Sequence, residues 1–245
     1  MFLTLTYDDE HLESPRLIYP HYQNFMKSVR KRCGRPLSTM VTGEYGDQNK
    51  RPHWHVLIFN YWPEDAEYTH TTDHGDRCYK SAIIENTWKK GRIEFGEVTL
   101  ESAGYVARYA AKKLTHGKDH EHDYHPIHRT SCKNAIGKSW IKKYYKHTFE
   151  NGFIVLPDGN ITKIPRYYED WAKENRPELY LWYLKYVKGK IQEKMETKAR
   201  KEELDYLTSL MNYQGDLRAY PVTRSKVKET ILKSKFKKLQ EYSKC

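Results

Sequence analysis

The sequence predicts an α+β fold: a ferredoxin/RRM-like central antiparallel sheet with flanking helices, followed by a helical C-terminal extension. Two observations predict it. Over residues 1–115 the apolar spacing alternates between period two and helical period in the order β-α-β-β-α-β-α, the layout of a split βαβ sheet. From Tyr167 onward the pattern becomes helical and heavily charged, which sets a first domain at 1–165 against a basic extension at 166–245.

The elements follow in order. The chain opens on MFLTLTYDDE, where Phe2, Leu3, Thr4, Leu5 and Thr6 alternate as a strand does. In YPHYQNFMKSVRKRCG, Tyr22, Phe25, Met26 and Val29 recur at helical spacing and Gly34 supplies the stop. LSTMVTGEYG reads as the second strand, and RPHWHVLIFN as the third, since Val56, Leu57, Ile58 and Phe59 are β-favouring. Residues 60–78 read as polar and irregular. YKSAIIENTWKKG reads as a helix ending at Gly91, RIEFGEVTL as a strand, and ESAGYVARYAAKKL as an Ala-rich helix with an apolar stripe. Further on, LTHGKDHEHDYHPIHRTSCKN reads as a histidine-rich loop and NGFIVLPDGNITKIP as a hairpin around Asp158-Gly159.

Composition narrows the class. A chain of 245 residues with 21 tyrosines and 6 tryptophans is too aromatic for a disordered protein and suits a wet, polar binding surface. The net charge of +11 favours a polyanionic partner such as nucleic acid. That charge is uneven, because residues 221–245 alone carry +6. The four cysteines, Cys33, Cys78, Cys132 and Cys245, form no C-x-x-C pair, which argues against a metal ribbon or a disulfide framework and fits a reducing cytosol. With no apolar run near a membrane-span length and no leader pattern, the expectation is a soluble intracellular protein.

Two stretches carry chemistry. In RPHWH, His53 and His55 share one strand face while Trp54 points to the other. Two such imidazoles can reach one cation or one phosphate; two satisfied histidines at a strand edge fit the pattern equally well. Glu44 lies on the preceding strand, and an antiparallel hairpin would bring it to the histidine face. A mixed N/O set of this kind suits Mn²⁺ or Mg²⁺ better than a closed structural zinc, with the carboxylate expected in a wet cleft. In YVARYAAKKL, Tyr105 and Tyr109 lie four apart on a helix, with Lys112 within about 20° of Tyr105 and Lys113 close to Tyr109. A phenol with its ordinary pKa near ~10 is a poor nucleophile unless cations assist it; an amphipathic helix with two half-buried tyrosines is the plainer alternative.

Taken jointly, FLTLTYDDEHL, GEYG…RPHWH and YVARYAAKK, in that order, resemble the rolling-circle replication initiators of the HUH endonuclease superfamily, and within it those of the gokushovirus branch of the microviruses. RTSCKNAIGKSWIKKYY and ITKIPRYYEDW extend the likeness to about residue 170, loosely around Cys132. The resemblance implies an HUH endonuclease fold in which His53, His55 and Glu44 hold a divalent Mg²⁺ or Mn²⁺. It implies that Tyr105 or Tyr109 attacks the scissile phosphate, leaving a 5′-phosphotyrosine and a free 3′-OH, with Lys112 or Lys113 offsetting the developing charge. The implied activity is metal-dependent nicking and joining of single-stranded DNA at a phage replication origin, with host helicase and polymerase as partners, in the host cytoplasm. The strand around Thr4 and Thr6 is structural in such nucleases. Relatives of this kind commonly carry a further segment before the first motif, so the resemblance implies either a shortened form or a start at an internal methionine.

Rival readings are weaker. A histidine-triad hydrolase would need a histidine where Leu57 stands, and the second H-x-[ST] motif of a two-histidine phosphodiesterase is missing. Single-tyrosine transposases lack the second tyrosine. A non-catalytic, basic RRM-like nucleic-acid binding or packaging protein remains the alternative. The histidines His116, His120, His122, His125 and His128 read as a solvated loop, and the basic tail as a phosphate-contacting extension.

Overall fold

The computed structural model describes residues 1–46, 50–73, 75–115, 127–215 and 220–241, with backbone alone at 108–115, 236 and 238–241. The chain divides into two compact units, Met1–Lys138 and Ser139–Cys245, and each has its own core.

The first unit is built on seven strands: β1 (Phe2–Thr6), β2 (Thr39–Tyr45), β3 (Pro52–Ile58), β4 (Glu67–Thr71), β5 (Arg77–Lys80), β6 (Ile93–Gly96) and β7 (Ile127–Thr130). They form one sheet in the order β4-β5-β6-β1-β3-β2-β7, with every neighbouring pair antiparallel. The inner four, β6-β1-β3-β2, are the predicted split βαβ arrangement. The stretch expected to be irregular instead supplies β4 and the start of β5, which runs on into Tyr79 and Lys80, where the sequence predicts the start of a helix. Their composition hides them: EYTHT is exposed along its whole length, so no apolar alternation announces it. β7 extends the far edge from within the expected histidine loop.

Among the described residues three helices complete the unit: α1 (Tyr19–Cys33), α2 (Ala82–Trp88) and α3 (Leu100–Thr115). α1 buries Tyr22, Phe25, Met26 and Val29, and closes on Gly34, whose left-handed φ of 65° lets its N–H reach the Arg30 carbonyl at 3.1 Å. α2 stops at Lys89, itself left-handed, rather than at Gly91. Gly91 has a different task. A Cβ there would sit 2.4 Å from the Asp8 nitrogen, so only glycine lets this turn pass the end of β1.

Alternation gives the sheet two unlike faces. Leu3, Leu5, Trp54, Val56, Ile93 and Phe95 point to one side and form the main core with α1 and α2. Gly43 sits opposite Trp54 on that side, and a Cβ on it would lie 2.6 Å from the indole ring. The opposite face carries Phe2, Thr4 and Thr6 of β1, His53 and His55 of β3, and Thr42 and Glu44 of β2. α3 packs on β2, β3 and β7.

The second unit has α4 (Lys138–Asn151), the hairpin β8 (Phe153–Val155) and β9 (Ile161–Lys163), then α5 (Arg166–Asn175) and α6 (Pro177–Tyr183). A π-helical turn, Leu184–Lys188, leads into α7 (Gly189–Met211) and α8 (Arg224–Glu241). The hairpin turns at Gly159, as the Asp-Gly pair predicts. Its core is Ile141, Phe149, Ile164, Trp171, Ala172 and Tyr183. Among the described residues no helix is long and apolar enough to cross a membrane.

Candidate metal centre

Antiparallel register brings the predicted donors together. Glu44 of β2 is the direct partner of His53 on β3, and His55, two residues on, points to the same face. Both histidines aim Nε2 at one oxygen: Glu44 Oε1 lies 2.9 Å from His53 Nε2 and 2.8 Å from His55 Nε2. The far ring nitrogens are held from behind. His53 Nδ1 lies 3.1 Å from the Arg51 carbonyl, which only accepts, so Nδ1 carries the proton. His55 Nδ1 lies 3.1 Å from the Thr4 hydroxyl. Outer partners on Nδ1 and a shared target for Nε2 are the arrangement that orients imidazoles toward a metal. Glu44, His53 and His55 could together hold a divalent ion, their ligand atoms lying within 4.8 Å of one another.

The carboxylate is not in a wet cleft. The Glu44 side chain is only 10% exposed, and that of His55 8%. Burial alone would raise the Glu44 pKa, but hydrogen bonds from His53 and His55, and their charge, outweigh it and hold the carboxyl at about 2. For His55, burial lowers the pKa; the Glu44 partner opposes this and the neighbouring His53 adds to it. Burial thus works against a charged His55, and Glu44 stays ionised, the form in which a carboxylate ligates a divalent ion.

The cover comes from α3. Thr99 and Ser102 cap its start reciprocally: Thr99 N–H donates to Ser102 Oγ at 2.9 Å and Ser102 N–H to Thr99 Oγ1 at 3.1 Å. One turn further, Tyr105 reaches the centre. Its hydroxyl lies 3.4 Å from Glu44 Oε1 and its ring meets His55 edge-on at 5.2 Å. Phe2 stacks on His55 at 5.7 Å and meets the Tyr105 ring edge-on at 6.2 Å, so the three rings form one aromatic cluster beside the carboxylate. Tyr109, Lys112 and Lys113 lie on α3, but their side chains fall outside the described residues, as do His116, His120, His122 and His125.

Sequence reasoning gives Thr4 and Thr6 only a structural part; Thr4 is a direct partner of a site histidine. His128 is also not in a loop. It sits on β7 opposite Thr42, with its Nδ1 2.8 Å from the Thr42 hydroxyl. Through the successive pairings Glu94–Thr4–His55–Thr42–His128, five strands each contribute one side chain to a single row across this face. The signal for His128 is the isolated I-H-R-T run, too short to stand out beside so many histidines.

Fold and site define an α+β protein in which two histidines and one carboxylate that could hold a metal ion lie beneath a tyrosine-bearing helix. Comparison places it more closely. The family of replication-associated proteins of the ORF2 type matches residues 1–114, which contain Glu44, His53, His55 and Tyr105. The replication-associated protein VP4 of Bdellovibrio phage phiMH2K is 54% identical over 98% of this chain and 79% of its own length. The replication-associated protein ORF2 of Spiroplasma virus 4 is 32% identical over 78% of this chain, and ORF4 of Chlamydia phage 1 is 32% identical over 70%. The chain spans 63% and 45% of those two relatives. It belongs to the phage replication-associated proteins, of the microvirus replication-initiator type. No solved structure matches it significantly.

Proposed function

We propose that this protein nicks and rejoins single-stranded DNA at a phage replication origin, starting rolling-circle synthesis through a 5′-phosphotyrosine. The observation that carries the reading is the meeting of His53 Nε2, His55 Nε2 and the Tyr105 hydroxyl around one oxygen of Glu44.

A divalent ion, Mg²⁺ or Mn²⁺, held by Glu44, His53 and His55 would polarise the scissile phosphate when bound. Thr4 and the Arg51 carbonyl keep the two imidazoles turned toward that point. Tyr105 supplies the nucleophile. Its oxygen forms a bond to phosphorus as the bond from phosphorus to the 3′ oxygen breaks, and the phenolic proton ends on that oxygen as a free 3′-OH. Tyr109 is the second nucleophile for closing a unit-length circle, and Lys112 or Lys113 offsets the charge that develops on phosphate. Host helicase and polymerase then extend the 3′-OH in the host cytoplasm, while the basic tail adds phosphate contacts.

The test is incubation with origin-bearing single-stranded DNA and Mn²⁺, followed by denaturing electrophoresis for a covalent protein–DNA adduct. Each single variant, Tyr105→Phe or Tyr109→Phe, should retain some adduct, and the double variant none. An adduct in the double variant, or DNA that is retarded but never cut, rejects the proposal.

A further inference from the structure

A second group of chemistry-bearing side chains lies on the same sheet face, at the opposite edge. His70 of β4, Cys78 of β5 and Glu94 of β6 present ligand atoms within 4.8 Å of one another. His70 Nε2 is 3.5 Å from Glu94 Oε1, with both side chains about half exposed. Glu94 pairs with Thr4, which pairs with His55, so two strand spacings, about 10 Å, separate this cluster from the first.

Its formation depends on a break in register. Tyr68 pairs with Tyr79, yet the next pair is His70 with Cys78, so Thr69 is an extra residue on β4. Regular pairing would put Thr69 opposite Cys78 and turn His70 to the other face, beside Arg77. The bulge turns His70 back to the Cys78 side, and re-aiming a side chain is what bulges do next to functional sites. Thr69 then holds the ring, with its hydroxyl 3.1 Å from His70 Nδ1 and donating to the Cys78 carbonyl at 2.9 Å. As in the first centre, Nδ1 is engaged and Nε2 faces the other donors.

We propose that His70, Cys78 and Glu94 form a second cation site, for a thiophilic divalent ion of the zinc class. The donor set is the ground for the class. One imidazole, one thiolate and one carboxylate from three adjacent strands suit zinc, and neither Mg²⁺ nor Ca²⁺ takes sulfur. Three protein ligands leave a fourth position open on an exposed edge, where water or a phosphate oxygen fits. A bound cation of this class deprotonates a coordinating thiol outright, so zinc would hold Cys78 as the thiolate. Bound metal would clamp the β4–β5 hairpin to β6, where the only backbone pairing among the described residues is Tyr79 with Phe95.

Cobalt(II) distinguishes the two centres in the full chain, because only a site with sulfur gives a near-ultraviolet thiolate-to-cobalt charge-transfer band. Titration of the reduced protein with cobalt alone should raise that band to one equivalent, and zinc should erase it. Cys78→Ser should abolish it. His70→Ala and Glu94→Gln should each weaken cobalt binding at least about tenfold, since losing even an outer partner costs that much. The His53→Ala/His55→Ala double variant should keep the band, as should the chain with Cys33, Cys132 and Cys245 all changed to Ser. No band in the parent, a band surviving in Cys78→Ser, or a band indifferent to His70→Ala and Glu94→Gln overturns the site. None of these readouts depends on DNA cleavage, so the site stands or falls apart from the proposed nuclease activity.

Discussion

Replacing Glu44 by Gln tests the first centre as a structural element, before any metal or DNA is added. One oxygen of a carboxylate that is only 10% exposed accepts from two imidazoles, and the carboxyl is held at about 2 against an ordinary 4.5. At about 1.4 kcal/mol for each tenfold change in proton affinity, this corresponds to about 3 kcal/mol of stability at neutral pH. The folded pKa is depressed, so between 4.5 and about 2 the unfolded chain binds more protons. Stability is therefore present above 4.5 and falls as pH drops toward 2, with about 2 kcal/mol lost by about pH 3. His55, its pKa lowered, adds acid loss of the same sign below its ordinary 6.5. The assay is urea unfolding of parent and Glu44→Gln in chelator from neutral pH to about pH 3. The parent should lead clearly at neutral pH, and the gap should narrow steadily in acid. A constant gap, or none at pH 7, would refute the claim that the buried ion–imidazole contacts stabilise this face.

Three further outcomes follow from the geometry. Thr4→Val keeps a strand-favouring shape but removes the partner of His55 Nδ1, and Mn²⁺ affinity measured by calorimetry should fall about 10- to 100-fold while urea stability changes little. Gly43→Ala forces a Cβ against the Trp54 ring, 2.6 Å away, and should cost about 1–3 kcal/mol in chemical denaturation. Deleting residues 221–245 removes +6 of the net charge; the slope of log K against log salt for single-stranded DNA should flatten by about 0.7 for every phosphate the tail no longer neutralises, with the nick position unchanged.

The inner sheet and most of the candidate metal centre are legible in the sequence because both depend on short-range periodicity. Alternation in FLTLT and PHWHVLI, and helical spacing from Tyr22 to Val29, announce elements whose one face is apolar. His53, His55 and Glu44 can be placed on a common face by counting alone. What cannot be counted is cover. Glu44 is buried because α3, more than fifty residues later in the chain, lies across it, and no local pattern reports that. β4 and β5 escape for the opposite reason: solvent-exposed strands such as EYTHT carry no apolar signature, and only pairing reveals them. The outer partners escape too: the Arg51 carbonyl is a main-chain group that any residue provides, and the Thr4 hydroxyl belongs to a residue type that is ordinary in strands.

The row from Glu94 through Thr4, His55 and Thr42 to His128 also imposes a rule of parity on how this chain can change length. One residue gained or lost within a strand sends every later side chain of that strand to the wrong face. A change of two restores the face, and a change of one survives only where the extra residue is pushed out of the ladder, as Thr69 is on β4. Related chains should therefore vary freely in length at the connections. Within the strands they should vary in even steps, or in single steps accompanied by a bulge.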